Sequence, residues 1–372
     1  MCSSARSKGP SADQQRLWLR YSDNWVRHLG VVAERGDRFV REALEAAGYS
    51  SLDSQLIAPL SLLYVEKQRP SDMATALGVS PGYATKLLNR LEKSGYIERT
   101  EDAADRRTRR VQLSPAGRTL IGAALEKLKA ISLEHRTRLG DTAYHHLLSS
   151  LATAGAILAA HEQRSSLPPG LQSELSAVSL SAVSELVQRA IGRMNAASGY
   201  GQITLAHWRV LHDLGLSGST NAALAEKQAL STQAISRSVR EILGMGYIES
   251  SRDKHDGRVS KLVYSERGFE LLASTADNIA ALGNAVSYEL PEGTFAELCQ
   301  SLSNLYEEAW LKDEATSNGF VNAAAASSRL KSEFSARVDS LATGESERLT
   351  RDSIFSVAEL EQLDSIINAK LR

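Results

Sequence analysis

LGVSPGYATKLLNRLEKSGYIER, residues 77–99, decides the fold of this chain. Gly78 ends one short helical run. Ser80 opens the next as an N-cap, whose side-chain oxygen can take a free N–H of the first turn. Pro81 follows at the first helical position, where a missing donor costs nothing. Ala84, Leu87, Leu88 and Leu91 then recur at helical spacing, which leaves Gly82, Tyr83, Thr85, Lys86, Asn89 and Arg90 on the opposite face. Gly95 stops the helix. The period changes at Tyr96-Ile97-Glu98-Arg99-Thr100, a strand-like run, and a second such run, Arg109-Arg110-Val111-Gln112-Leu113, lies beyond a polar turn over 101–108. Short helix, tight turn, second helix and two-stranded ribbon make a winged helix-turn-helix. The second helix has the diameter to enter a major groove.

The same signal returns 151 residues downstream, with Gly95-Tyr96-Ile97-Glu98 repeated as Gly246-Tyr247-Ile248-Glu249. At that offset Ser80 falls on Ser231, Lys86 on Arg237, Asp105 on Asp256, Arg107 on Arg258, Ser114 on Ser265 and Gly117 on Gly268. No gap is needed from Gly48-Tyr49 on Gly199-Tyr200 to Leu151 on Leu302. The chain is a tandem duplication of a domain-sized unit. The second recognition face is Ser231, Thr232, Gln233, Ser236, Arg237 and Arg240, over Ile235, Val239 and Ile242. A duplicated reader in one chain supplies what a two-fold symmetric DNA site otherwise requires of a homodimer.

Outward from these segments, the pattern divides the chain into a flexible tail (1–12), a first unit (13–163), a linker with Pro168-Pro169 (164–170), a second unit (171–310) and an extension (311–372). In the first unit, Leu17, Tyr21, Trp25, Leu29, Phe39, Val40 and Leu44 predict one long helix over 13–47, stopped by Gly48. Further helices are expected over 52–67, over 71–77 with Ser71 as N-cap, over 81–93, and from Pro115 to about 163 with a break at Gly140. The second unit predicts helices over 171–198, 204–214, 220–228, 231–243, 266–288 and 292–310, with a hairpin over 247–263. A polar, Ala/Ser-rich stretch (313–327) leads to two amphipathic helices, one on Leu330, Phe334, Val338 and Leu341, the other on Ile354, Val357, Leu360, Leu363, Ile367 and Leu371.

The net charge of −1 over 372 residues does not advertise nucleic-acid binding, so local patches must carry the charge. One is Arg106-Arg107-Thr108-Arg109-Arg110, which reads either as a solvated turn or, on a wing, as a phosphate contact. The second wing offers Arg252, Lys254, Arg258 and Lys261. The two cysteines, Cys2 and Cys299, form no cluster, and Cys299 shares an apolar register with Leu298 and Leu302, as a buried thiol would. His145, His146 and His161 lack partners at ligand spacing, so no metal site is expected. The chain has no phosphate-binding Gly loop, nucleophile elbow or zinc signature, which argues against an enzyme or a cofactor. No apolar run reaches membrane length, the N-terminus lacks the apolar core of a signal peptide, and cysteine usage suits a reducing cytoplasm.

Taken together, residues 77–99, Asp105-Arg106-Arg107 and Leu113-Ser114-Pro115-Ala116-Gly117 resemble the MarR family of bacterial transcription regulators. The second unit adds Trp208-Arg209-Val210-Leu211, Leu230-Ser231, Asp256-Gly257-Arg258 and Gly268. The resemblance implies a mostly α fold whose first and last helices form a dimer interface, and a double-stranded DNA partner. Here that becomes two tandem winged helix-turn-helix units with long flanking dimerisation-type helices, forming a pseudo-two-fold single-chain dimer, plus a helical C-terminal extension that could join two chains. It also implies that Asp105 orients Arg107, and Asp256 orients Arg258, toward the minor groove. A carboxylate two residues away can hold a guanidinium by paired bonds, and a narrow minor groove attracts it. Many members bind small aromatic or phenolic acids. The elements that could line such a pocket carry Trp25, His28, His207, Trp208 and Arg209, though a Trp at helical spacing is more often core. The family default is repression. Three departures stand out: two units in one chain, two unlike recognition helices, and the extension. An imperfect palindrome is the expected target. The alternative is a protein-interaction or architectural module without ligand sensing.

Overall fold

The structure, a computed structural model, describes residues 10–49, 54–65, 68–77, 79–101, 109–161, 173–228, 230–252 and 260–316. The first copy runs through α1 (Ala12–Ser22), α2 (Trp25–Ala46), α3 (Ser54–Val65), α4 (Pro70–Leu77) and α5 (Pro81–Lys93) to an antiparallel hairpin, β1 (Ile97–Glu101) with β2 (Arg109–Leu113), and then α6 (Pro115–Leu139) and α7 (Asp141–His161). The second runs through α8 (Ser176–Asn195), a π-turn (Ala196–Tyr200), α9 (Leu205–Leu214), α10 (Asn221–Lys227) and α11 (Thr232–Met245) to β3 (Ile248–Arg252) with β4 (Ser260–Tyr264), then α12 (Glu266–Glu289) and α13 (Thr294–Thr316). The fold is mostly helical, with a winged helix-turn-helix in each half. The linker 164–170 and the amphipathic segments of the extension lie outside the described residues. Both copies, as far as Leu305, belong to one compact unit.

The repeat holds at the level of single bonds. Ser80 Oγ accepts from the Tyr83 N–H and Ser231 Oγ from the Ala234 N–H, at 3.3 and 3.2 Å. The Ser114 hydroxyl donates to the Gly95 carbonyl and the Ser265 hydroxyl to the Gly246 carbonyl, each at 2.6 Å. Ile97 pairs with Leu113 as Ile248 pairs with Tyr264, and an extra bridge joins Gln68 to Val111 as another joins Ser219 to Leu262. That bridge ties each ribbon to the chain before the helix-turn-helix, so the wing is fixed relative to the recognition helix.

The expected single helix over 13–47 is two helices. Asn24 breaks it by capping α2, its side chain accepting from the Arg27 N–H at 3.0 Å, while Asp23 Oδ1 meets His28 Nε2 at 2.7 Å. An N-cap residue has non-helical backbone, so α1 leaves in a new direction. Its apolar stripe, Leu17, Trp18 and Tyr21, joins the core of the second copy rather than the first. Ser71 is not an N-cap; α4 starts at Pro70, and Ser71 lies inside the first turn. The helix expected over 171–198 starts at Ser176 and ends in the π-turn, where Gly199 takes φ +93°. α13 continues through Asp313–Thr316, where the composition predicts a polar loop.

Each helix-turn-helix and ribbon sits on its own apolar core, and each core also takes residues from the other copy, Ala177 of α8 in the first and Leu17, Trp18 and Tyr21 of α1 in the second. The long helices then pack across the copies: α2 on α8, α7 on α8 and α12, and α1 on α12. Polar ties also join the copies. Arg20 pairs with Asp277 at 2.5 Å, Ser181 donates to Asp37 at 2.8 Å, Tyr144 donates to the Glu174 carbonyl at 3.0 Å and Arg138 to the Asn304 carbonyl at 2.7 Å. Burial raises the Asp37 carboxyl above its ordinary value, and the Ser181 bond and Arg41 charge partly offset this.

Candidate nucleic-acid interface

α5 is fastened by Ala84, Leu87, Leu88 and Leu91, all buried, and α11 by Ile235, Val239 and Ile242. Each fully buried side chain of Val, Leu or Ile contributes about 1.5–3 kcal/mol relative to exposure. The opposite faces are open. Ser80, Pro81, Gly82, Tyr83, Thr85, Lys86, Asn89 and Arg90 are all exposed, as are Ser231, Thr232, Gln233, Arg237 and Arg240, with Ser236 half-buried. The structure thus brings the sequence-predicted face residues together on one solvent-facing side of each recognition helix. Their local bonds refine their roles. Ser80 and Ser231 spend one lone pair on capping. Thr85 donates its hydroxyl proton to the Pro81 carbonyl at 2.9 Å, so it faces outward as an acceptor. Arg240 lies back along its own helix, with Nε on the Ser236 carbonyl at 3.1 Å.

Two buttresses were not read from the sequence, and they differ between the copies. In the first, Arg99 on β1 donates from Nη2 to Asn89 Oδ1 at 2.6 Å and from Nε to Glu92 at 3.1 Å. The wing therefore holds a recognition-face amide. In the second, Glu241 accepts from Arg237 Nε at 3.1 Å through one oxygen and meets His207 Nε2 at 2.8 Å through the other. The Arg237–Glu241 spacing of four is the usual helical ion-pair spacing and is visible in sequence. The Arg99 contact depends on how the hairpin docks and is not.

On the wings, Arg109 is exposed opposite Glu101, Arg110 is half-buried opposite Thr100, and Lys261 is half-buried opposite Ser251. Arg252 closes β3. Asp105, Arg106, Arg107, Lys254, Asp256 and Arg258 lie outside the described residues, so the expected Asp–Arg pairs of the wing tips do too.

Four of the five side chains named for an effector pocket have structural partners. His28 is buried against Asp23. His207 is buried and uses both ring nitrogens, Nδ1 accepting from the Thr204 N–H at 3.2 Å and Nε2 on Glu241. Trp25 sets its ring edge-on to Phe295 at 5.5 Å. Trp208 is half-buried with its ring 6.4 Å from that of Tyr21, and Arg209 is exposed. The residues that crowd this junction are instead Trp18, Tyr21, His212 and Tyr264, with ring separations of 5.6 to 6.1 Å. Burial pushes the Cys299 thiol up to about 11, so it is protonated at neutral pH and a poor redox sensor. No helix of the described residues is long and apolar enough to cross a membrane.

Residues 60–108 match the MarR family model, and residues 202–259 match a second model of the same description. The two matches fall on the two helix-turn-helix and ribbon segments. HTH-type transcriptional regulator BilQ of Clostridioides difficile (strain CD3) is 26% identical over 105 residues, 27% of this chain and 71% of BilQ. Transcriptional repressor MprA of Escherichia coli (strain K12) is 37% identical over 71 residues, 18% of this chain and 40% of MprA. A crystal structure of transcriptional regulator Tm0710 from Thermotoga maritima is 25% identical, covers 35% of this chain and 89% of that one, and superposes with a TM-score of 0.27. Each half of the chain thus carries a winged helix-turn-helix whose segment matches a MarR family model, in a tandem duplication.

Proposed function

We propose that this chain is a sequence-specific, DNA-binding transcription regulator whose two reading heads come from one polypeptide, arranged as a single-chain pseudo-dimer. The observation that carries the reading is the pair of open, cation-bearing recognition helices, α5 and α11, each anchored on its own core in one compact unit. The packing of α2 and α7 on α8 supports a fixed spacing between the heads. In the proposal α5 and α11 enter successive major grooves, about 34–36 Å apart along the duplex. Lys86 and Arg237 are offered to bases, and Arg90, Arg109, Arg110 and Lys261 to phosphates. The faces differ, so the target is an imperfect palindrome. Repression is proposed by likeness to MprA. Release by a small aromatic acid is proposed from the resemblance alone, with Trp25 and Trp208 as the aromatic surfaces.

The stoichiometry tests the arrangement. One chain is expected per operator-length duplex in a sizing experiment. A complex that forms only with two chains per duplex would overturn the single-chain pseudo-dimer and shift attention to residues 311–372 as an assembly element. Lys86→Ala is expected to cost roughly 1–3 kcal/mol of affinity and to relax preference at one base pair of one half-site. Arg110→Ala is expected to weaken all sequences alike and to lower the salt slope by about one. Unchanged affinity for both variants at fixed salt would remove α5 and the first wing from the interface.

A further inference from the structure

Arg237 and Glu241 occupy the solvent face of the second recognition helix, and a carboxylate there has a cost. It repels the phosphates that the same face must approach. Its geometry explains its presence. His207 is buried in the first turn of α9, where it completes a capping box with Thr204. The Thr204 N–H points at Nδ1 (3.2 Å), so Nδ1 is the acceptor and Nε2 carries the ring proton. That proton is donated to Glu241 Oε2 at 2.8 Å, which leaves Oε1 for Arg237 Nε at 3.1 Å. The bonds from His207 and then Arg237 hold the Glu241 carboxyl below its ordinary value, so it stays ionised as an acceptor. The chain of contacts runs from a backbone N–H at the start of α9 to a guanidinium whose side chain is 79% exposed.

We propose that Glu241 is the positioning residue of the second reading head, holding Arg237 by its Nε edge so that its two terminal amino groups face a guanine. With Nε occupied, the Nη1–Nη2 edge remains, and that edge can meet guanine O6 and N7 together. Holding the side chain in advance removes part of the ordering cost of binding. The first head cannot use this device. At the repeat offset, Arg237, Glu241 and His207 correspond to Lys86, Arg90 and Leu56. Its preset polar group is Asn89, held by Arg99 from the wing. The two half-sites are therefore read by different chemistry, with a preset guanidinium in one and a preset amide, suited to adenine, in the other.

The inference rests on the chain being a sequence-specific DNA binder, and the test separates the two. The full chain is used to select a preferred site from a randomised duplex pool. Affinities are then measured for every single base-pair change in that site, for wild type, Glu241→Ala, Glu241→Gln, Arg237→Ala and the Arg237→Ala/Glu241→Ala double variant, with a melting curve for each. Glu241→Ala is expected to weaken the preferred duplex about three- to tenfold. It should flatten a guanine preference at one base pair of one half-site and leave the other half-site unchanged. Glu241→Gln keeps an acceptor for Arg237 and should retain most of that preference. The double variant should bind no worse than Arg237→Ala alone. Tighter binding of Glu241→Ala to all duplexes alike would make Glu241 a mere electrostatic brake and overturn the proposal, as would an intact guanine preference. If wild type selects no site, the reading as a sequence-specific regulator fails first, and this proposal with it.

Discussion

Gly268→Ala is expected to lower the unfolding free energy of the second reading head by about 3 kcal/mol or more, toward the upper end of what overpacking costs. A Cβ at this position would sit 2.0 Å from the Tyr247 carbonyl oxygen and 3.0 Å from Tyr264 Cδ1. The oxygen is backbone and cannot rotate away. It also accepts the Ser265 N–H at 3.2 Å, the bond that seats the start of α12 against the recognition helix–wing junction. Relief would require α12 to lift off that junction. Gly117 stands in the same relation to the Tyr96 carbonyl, also at 2.0 Å, so Gly117→Ala should cost the first head a similar amount. Gly244 and Gly122 are helical glycines where an added Cβ would meet nothing within 4 Å. There alanine should stabilise by about 0.5–1 kcal/mol. Denaturant unfolding of the four variants checks this. Equal stability for Gly268→Ala and Gly244→Ala would mean the close approach does not exist in solution.

Tyr21→Ala should cost about 3–5 kcal/mol, the range for removing a buried aromatic ring, and the loss should fall on the second copy although Tyr21 belongs to the first. Tyr21 is 8% exposed and packs with Trp18, Trp208 and His212 in the second core. Hydrogen exchange should show faster opening of α9–α12, with α3–α6 little changed. Loss of protection in α3–α6 alone would place α1 on the wrong copy. The same junction predicts acid sensitivity. Burial, then the charges of Arg27 and Lys227, hold the His212 imidazole well below its ordinary value. The folded state therefore favours the neutral ring, and this contribution is fully present above the unfolded value of about 6.5 and lost as pH falls below it. Wild-type stability should decline below about pH 6.5, less so in Tyr21→Ala, where the ring is freed to hydrate.

Much of the fold was legible because its signals are short-range. Ser80, Ser114, Ser231 and Ser265 each precede an apolar periodic run, and each caps the helix that follows it. Gly95 and Gly246 take φ +76° and +79° at the ends of the recognition helices, a backbone that other residues adopt at a cost. The alternation from Tyr96 and Tyr247 onward marks the ribbons. The recognition faces were legible for the same reason, since a 3.6-residue period assigns sides without reference to any partner. Asn24 was missed because Leu17, Tyr21, Trp25 and Leu29 continue the helical stripe straight through it. A period alone does not register that the two parts of a stripe serve two different cores.

By itself the sequence determined the two units, their order of elements, and which side chains face outward on α5 and α11, because caps, turns and periodicity act within a few residues. Tertiary structure alone decided which copy α1 completes, how α2 and α7 meet α8, and which side chains brace each recognition face. The Thr204–His207–Glu241–Arg237 chain spans two helices, and the Arg99–Asn89 bond spans a strand and a helix. Such contacts depend on distances set by folding of the whole core, and the 151-residue repeat, which keeps spacing along the chain, does not carry them from one copy to the other.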